Sequence, residues 1–330
     1  MRKRFGGGLI LLRGRSIMKP TVLALKSILP EEMDLLRSRY RVLPFWEMDR
    51  DALLEAQGGE ISAILSTYDC EGVKGDLMAR LPNLRIIAQF GAGYDNIDLR
   101  AAKERTIAVT NTPDVLTDDT ADIAMLLLLN VARRGVAADR FVREGGWKNG
   151  AYPLTTSLSG KTAGIFGMGK IGQAIARRAE AHNMKIIYCS RSEKDDIPYA
   201  YYGKLSALAE ACDFLVLACS GGPETRHAVD RGILRALGPK GYLINIARGS
   251  VVKEDDLLAA LQAGEIAGAG LDVYAGEPDV PESLLKLEQV VLSPHVGSAT
   301  RETRSLMGRL VVENLNAFFE GKPLLTPVLT

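Results

Sequence analysis

Only three histidines occur among 330 residues, beside four cysteines and two tryptophans. So few imidazoles leave few groups that titrate near neutral pH, and each can be weighed singly. The cysteines (Cys70, Cys189, Cys212 and Cys219) show no C-x-x-C spacing. That excludes a structural zinc site and fits a reducing cytoplasm. No run of 18 apolar residues is present; Met125–Asn130 belongs to a helical pattern too short to span a bilayer. Acid is missing from residues 1–19, which hold six Lys/Arg, so the rest of a chain of net charge +1 carries −5. Nucleic acid is therefore excluded as a partner of the body of the protein. Within the basic stretch the apolar run Leu9–Leu12 is too short for a secretion signal. Residues 1–17 read as a disordered extension or the product of an upstream start, with Met18 opening the folded part; an Arg-rich targeting segment is the alternative.

The length predicts two domains, and 47% hydrophobic with 25% charged residues is ordinary for a soluble globular chain. From Pro20 to Asn111 apolar runs alternate with helical patterns. The runs are 21–25, 41–45, 61–66, 84–90 and 107–110; the helices are 31–38, 51–57 and 99–104. This alternation predicts a parallel sheet covered by helices on both faces. A long helix follows over 118–133, acidic at its start and ending in Arg133-Arg134-Gly135, as the helix dipole favours. A second α/β unit begins near Gly160, with strands expected at 162–166, 185–189, 214–218, 242–246, 268–273 and 290–293. Asn183 is placed to end its first helix in a left-handed conformation. The helical period over 300–320 predicts a return to the first domain. No internal repeat is evident.

Between the first two strands of that unit stands Gly167-Met-Gly169-Lys-Ile-Gly172, in the strand–turn–helix context that a dinucleotide-binding turn requires. Gly167 allows the tight turn, Gly169 lets backbone approach a pyrophosphate, and Gly172 lets helix and strand pack closely. The helix N-terminus offers free N–H groups to the anion. At the end of the second strand an NAD site places a carboxylate against the ribose. Here Ser190-Arg191-Ser192 stands instead, and a guanidinium flanked by hydroxyls suits a 2′-phosphate. The cofactor predicted is NADP(H).

Of the histidines, His182 sits at a helix end, and His227 starts a helix-and-loop segment where a surface or structural role is expected. His295 follows a strand at the carboxyl edge of the sheet, where ligands of open α/β sheets bind. Two other strand ends bring Arg248, Asp272 and Glu277 to the same edge. An imidazole there could protonate the alkoxide left by hydride addition to a ketone. A carboxylate on its other nitrogen would fix the tautomer and favour the charged form, and the planar arginine fork could grip a carboxylate and a carbonyl together.

The glycine turn, Asn245-Ile-Ala-Arg248-Gly249, Gly270-Leu-Asp-Val273 with Gly276-Glu277-Pro278, and Pro294-His295-Val-Gly-Ser298 together resemble the D-isomer-specific 2-hydroxyacid dehydrogenase family, over about residues 18–328. Ser190-Arg191-Ser192, Ala218-Cys219-Ser220 and Gly238-Pro-Lys-Gly241 resemble most the NADPH-dependent glyoxylate/hydroxypyruvate reductases, with hydroxyphenylpyruvate reductases close by. The resemblance implies two Rossmann-like, doubly wound α/β domains. A split, flavodoxin-like substrate domain (18–116 plus 300–330) would hold an inserted NADP-binding domain (117–299), with a dimerisation arm near 118–153.

For the catalytic set it implies substrate binding by Arg248, orientation of the histidine by Glu277 and acid/base catalysis by His295. Asp272 would meet the nicotinamide carboxamide. The implied cofactor contacts are Gly167, Met168, Gly169, Lys170, Ile171, Ser190, Arg191 and Ser192 on one side. Ala218, Cys219, Ile246, Ala247, Arg248, Asp272, His295 and Gly297 join from the other strand ends. The turn Gly91-Ala92-Gly93 resembles the one whose amides hold the substrate carboxylate, giving a substrate set of Ala92, Gly93, Arg248 and His295. No metal is implied. Relatives are homodimers, and Trp147 in the arm would approach a neighbour's site. Ser220-Gly221-Gly222 departs from the bulkier residues of relatives, with consequences expected near the adenine edge. The alternatives are an NAD-dependent relative of the phosphoglycerate, formate or D-lactate dehydrogenase type, and a nucleotide-sensing, corepressor-like binding protein.

Overall fold

The apolar runs assemble into two separate sheets in a computed structural model that describes residues 19–330. The extension expected over 1–17, and the start at Met18, lie outside the described residues. The first sheet is laid down by β1 (Thr21–Ala24), α1 (Pro30–Arg39), β2 (Arg41–Pro44), α2 (Arg50–Gln57), β3 (Ile61–Thr67), α3 (Gly75–Ala79), β4 (Ile86–Phe90), α4 (Leu99–Glu104) and β5 (Ala108–Thr110). Its strands are buried almost without interruption, as in a parallel sheet covered on both faces. Local chemistry sets the helix starts. Pro30 opens α1, while the Asp49 and Asp98 carboxylates accept the Ala52 and Ala101 N–H groups to cap α2 and α4.

The chain then runs through α5 (Thr117–Arg133) and α6 (Gly135–Arg143), broken by Arg134 in a left-handed conformation. The apolar face of α5 is spent inside the protein: Ala121, Ala124, Leu127, Leu128 and Val131 are buried against α5's neighbours in the second sheet. Among the described residues no helix is long and apolar enough to cross a membrane.

The second unit continues with β6 (Thr162–Phe166), α7 (Lys170–Ala181), β7 (Lys185–Cys189), β8 (Ala200–Tyr201), α8 (Leu205–Glu210), β9 (Phe214–Leu217), α9 (Arg231–Leu237), β10 (Tyr242–Asn245), α10 (Glu254–Gln262), β11 (Gly268–Leu271), α11 (Glu282–Leu285) and β12 (Val290–Leu292). Asn183 ends α7 at φ 59°, the left-handed conformation expected of it. Finally α12 (Arg301–Phe319), capped by the Thr300 hydroxyl, packs on α1 and β4, and β13 (Pro327–Leu329) pairs antiparallel with β5.

Strand order in the first sheet is β13-β5-β4-β3-β1-β2, the flavodoxin-like order with one antiparallel edge added. In the second it is β12-β11-β10-β9-β6-β7-β8, the Rossmann order extended by one strand. Order reverses between β6 and β9, and ligand crevices of such sheets open there, beyond the carboxyl ends of the strands. Six expected strands end early: Leu25 and Phe45 in the first sheet, and Ala218, Ile246, Asp272–Val273 and Ser293 in the second, have left the ladder. At Ala218, Ile246 and Asp272 the backbone has turned away to build the crevice.

Candidate active site

The crevice lies between the two sheets and has a volume of about 440 Å³. From the first sheet come Tyr68, beyond β3, and the turn 91–95 after β4. From the second come residues 218–223 after β9, 246–248 after β10, Asp272 after β11, and His295 with Gly297 after β12.

Asp272 organises the histidine loop. Only 1% exposed, its carboxylate accepts the Ser293 hydroxyl at 2.5 Å and the Val296 and Gly297 N–H groups at 2.9 Å. The His295 N–H donates to the Asp272 carbonyl at 2.9 Å. Pulled round in this way, His295 takes φ 52°, a left-handed conformation uncommon for non-glycine residues. Its Nδ1 lies 2.7 Å from Glu277 Oε2, while Glu277 Oε1 accepts the Tyr274 N–H at 2.9 Å. Burial alone would raise the Glu277 carboxyl. The hydrogen bond and charge of His295, the Tyr274 amide and the Arg248 charge outweigh it and hold the group below the usual glutamate range. The Tyr68 ring rests on the imidazole with centroids 4.4 Å apart, and its hydroxyl accepts from Arg304 at 3.0 Å. Burial raises the Tyr68 phenol against the opposing charge of Arg304, so it stays protonated at neutral pH.

Arg248 leaves β10 in extended conformation. The Asn245 side chain shapes that exit, accepting from Ala247 N–H and donating to the Arg248 carbonyl, each at 3.0 Å. The guanidinium reaches across to Asp95 of the first sheet, Nε to Oδ1 at 3.1 Å. In the turn it faces, the Gly91 N–H already donates to Thr112 Oγ1 at 2.9 Å. Ala92 and Gly93 N–H have no hydrogen-bond acceptor among the described residues, so two amides, not three, are open to an anion.

The glycine turn stands at the ends of β6 and β9. Gly167 has φ 106°, and a β-carbon there would lie 2.5 Å from the Cys219 nitrogen. A β-carbon on Gly172 would lie 2.1 Å from the Gly167 carbonyl oxygen, so both glycines are imposed by contact. Gly169 differs: a β-carbon on it would meet nothing within 4 Å. It faces open space at the start of α7, whose first turn has no side-chain cap. Open space against uncapped N–H groups fits a dinucleotide pyrophosphate.

Ile171, Ala218, Cys219, Ile246, Ala247 and Gly297 line the crevice as expected. Met168 is 1% exposed with its side chain in the core, so it can offer only backbone. Lys170 pairs with Asp114 at 2.7 Å. Ser190, Arg191 and Ser192 follow β7, with Arg191 and Ser192 exposed and the Ser190 hydroxyl donating to the Ser192 carbonyl at 2.7 Å. Burial pushes the Cys219 thiol up to about 12, which leaves it no thiolate for nucleophilic chemistry at neutral pH.

One expectation needs correction. His227 does not start a helix; it is exposed in a turn ahead of α9, at φ 53°, with its N–H on the Ser250 carbonyl. Gly221 faces Arg248 and Asp95 across the crevice, a contact the sequence reading did not place there. Sequence reasoning assigned no role to Asp95, Asn245 or the Tyr68–Arg304 pair. Asn245 entered only as part of the Arg248 motif, and Asp95 carried a local signal as a charge beside the paired glycines.

Residues 125–297 match the family model described as D-isomer specific 2-hydroxyacid dehydrogenase, NAD binding domain. The chain is 50% identical to a glyoxylate/hydroxypyruvate reductase of Arabidopsis thaliana, covering 89% of this chain and 94% of that one. It is 48% identical to the hydroxyphenylpyruvate reductase of Plectranthus scutellarioides, over 92% and 96%. Among solved structures it resembles the NADPH-dependent glyoxylate/hydroxypyruvate reductase of Sinorhizobium meliloti in complex with NADP and malonate. That match has a TM-score of 0.89 and 44% identity, and covers 94% of this chain and 97% of that one.

The lowered Glu277 group has a consequence for stability. A depressed carboxyl contributes stability that is present above its unfolded value and lost as pH falls through the folded one. Glu277→Gln should therefore lower Tm by a few degrees at pH 7, with the deficit shrinking as pH falls below about 4, where the wild-type carboxyl protonates first in the unfolded and then in the folded state. Calorimetric scans across that range check it; a deficit constant to about pH 2 would contradict the assignment.

Proposed function

This chain belongs to the D-isomer-specific 2-hydroxyacid dehydrogenase family, and we propose that it is an NADPH-dependent glyoxylate/hydroxypyruvate reductase that converts a small 2-ketoacid to the D-2-hydroxy acid. The observation that carries this reading is the convergence of His295 with Glu277, Arg248 and the free amides of Ala92 and Gly93 on one crevice. Of the described residues, 19–116 with 300–330 form the substrate domain and 117–299 the NADP-binding domain.

The Ala92 and Gly93 amides and the free edge of Arg248 hold the ketoacid carboxylate, and Arg248 also polarises the carbonyl. NADPH, when bound, supplies the hydride. Gly167–Lys170 and the start of α7 hold its pyrophosphate, and Ser190, Arg191 and Ser192 its 2′-phosphate. Opposite the carbonyl, His295 presents Nε2, because Nδ1 is tied to Glu277 at 2.7 Å. That bond sets the ring orientation and keeps Nδ1 as the protonated donor to the carboxylate, so the proton delivered to the forming alkoxide leaves from Nε2. Asp272 keeps the imidazole in place through the loop, and Tyr68 covers its face against water.

The chain further acts as a homodimer in a reducing cytoplasm. Support for the pairing is the concentration of exposed apolar side chains in one stretch: Leu126, Val136, Val142, Trp147 and Leu154, the last fully exposed. Helix α6 has no buried residue at all. Support for the compartment is that all four cysteines are free.

Three outcomes are expected. His295→Ala should reduce turnover of glyoxylate by about 10²- to 10⁴-fold while NADPH fluorescence titration gives an unchanged Kd; wild-type rates in this variant would end the assignment. Arg191→Ala should lower the kcat/KM preference for NADPH over NADH by about tenfold or more, the scale of one lost charged contact. An unchanged ratio would favour an NAD-type site. Sedimentation velocity should give twice the chain mass, reverting toward monomer in Leu154→Asp.

A further inference from the structure

Asp95 and Arg248 are 153 positions apart in the chain and belong to different sheets, yet their side chains meet at 3.1 Å. Both are about three-quarters buried, at 26% and 25% exposure, unlike the many solvated pairs on the surface. Resting on the reductase reading above, we infer that Asp95 is a positioning residue that selects which edge of the Arg248 guanidinium faces the substrate, and that Gly221 keeps open the space this requires.

The donor inventory carries the argument. A guanidinium has five N–H bonds in a rigid plane. Nε–H is committed to Asp95, and one Nη1–H donates to the Ala247 carbonyl at 2.8 Å. Nε and Nη1 lie on opposite edges of the plane, so the two bonds pin it from both sides and leave the Nη1/Nη2 tip as the uncommitted edge. Nη2 itself lies against Gly93, where a β-carbon would come within 1.7 Å of it. The free edge thus lies beside the two amides that have no acceptor among the described residues. A carboxylate placed there meets a matched set of donors from both domains.

Gly221 closes the other side. A β-carbon on it would lie 2.7 Å from Arg248 Cγ and 2.9 Å from Asp95 Oδ2, wedging the pair apart. Its φ lies outside the left-handed region, so alanine there acts through contact and not backbone strain. A carboxylate beside an anion site opposes anion binding by simple charge. Asp95 consequently acts through geometry, and an uncharged acceptor of the same shape should serve.

The test measures malonate, a non-substrate dicarboxylate, binding to the NADPH complex by fluorescence, alongside kcat and KM for glyoxylate. Asp95→Ala and Gly221→Ala should each raise the malonate Kd and the glyoxylate KM by about 10- to 100-fold, the scale of losing an oriented charged hydrogen bond. Their NADPH Kd should remain within about twofold of wild type, well under the tenfold change that 1.4 kcal/mol would make. Asp95→Asn, which keeps the acceptor, should restore malonate binding to within about threefold of wild type, a residual of under 1.4 kcal/mol. Wild-type malonate affinity in Asp95→Ala would overturn the inference, as would Asp95→Asn as impaired as Asp95→Ala. Should Asp95→Ala fail to fold, Gly221→Ala against Asp95→Asn gives the same contrast. Absence of glyoxylate turnover in the wild type would refute the reductase reading alone, because the malonate series does not depend on turnover.

Discussion

A single buried carboxylate holds the reactive edge together. Asp272 stands at the end of β11 and accepts three hydrogen bonds from the loop after β12. Burying an ionised carboxylate is costly unless its lone pairs are satisfied, and here the satisfying donors are the loop itself. The side chain would be an uncompensated charge without the loop, and the loop would lack its left-handed turn at His295 without the side chain. Each stabilises the other, so the histidine position is set by neighbouring strands rather than by its own rotamer preference. Thr120 adds a tie from α5, donating to the Gly297 carbonyl at 3.2 Å. The Tyr274 hydroxyl, donating between the Leu271 and Ser293 carbonyls, locks β11 to β12 below.

The parallel topology explains why these groups meet at all. Every strand of the second sheet runs in one direction, so every carboxyl end opens on the same edge. Residues more than a hundred positions from the turn 91–95 then need only a short reach to form one crevice. The apolar ladder beneath is nearly solvent-free, which keeps the edge rigid enough to hold contacts near 3 Å. Chemistry is thereby confined to the loops and support to the strands.

Much of this was legible in the chain because the informative motifs are contiguous. The glycine turn is six residues long, and Glu277 and His295 lie 18 apart on consecutive strand ends. Strand positions followed from apolar runs, since a sheet buried on both faces must be apolar throughout. Strand ends were less legible: Ala218 and Ile246 are as apolar as most of the strand before them, but they have left the ladder and line the crevice. The Asp95–Arg248 contact was not legible, because nothing local joins two charges 153 positions apart. The Gly221 contact was not legible for the same reason: a missing side chain shows that space is wanted but not by whom. Helix α6 lacked the burial that marks a helix as core-facing, since its apolar residues face outward.

The two domains contribute unequal chemistry. Every ionisable group in the proposed catalytic set is carried by the second sheet, whereas the first sheet supplies backbone amides, the Tyr68 ring and the Asp95 acceptor. Neither domain alone can grip a ketoacid: the amides lack a cation, and the arginine lacks the partner that orients it. On the proposed reading the substrate carboxylate is the ligand common to both halves. The contact between the halves is also what brings the Tyr68 ring over the His295 imidazole. Recognition of the carboxylate and assembly of the acid therefore depend on the same interdomain contact, and a ketone without that carboxylate could fill the crevice without bringing the site together.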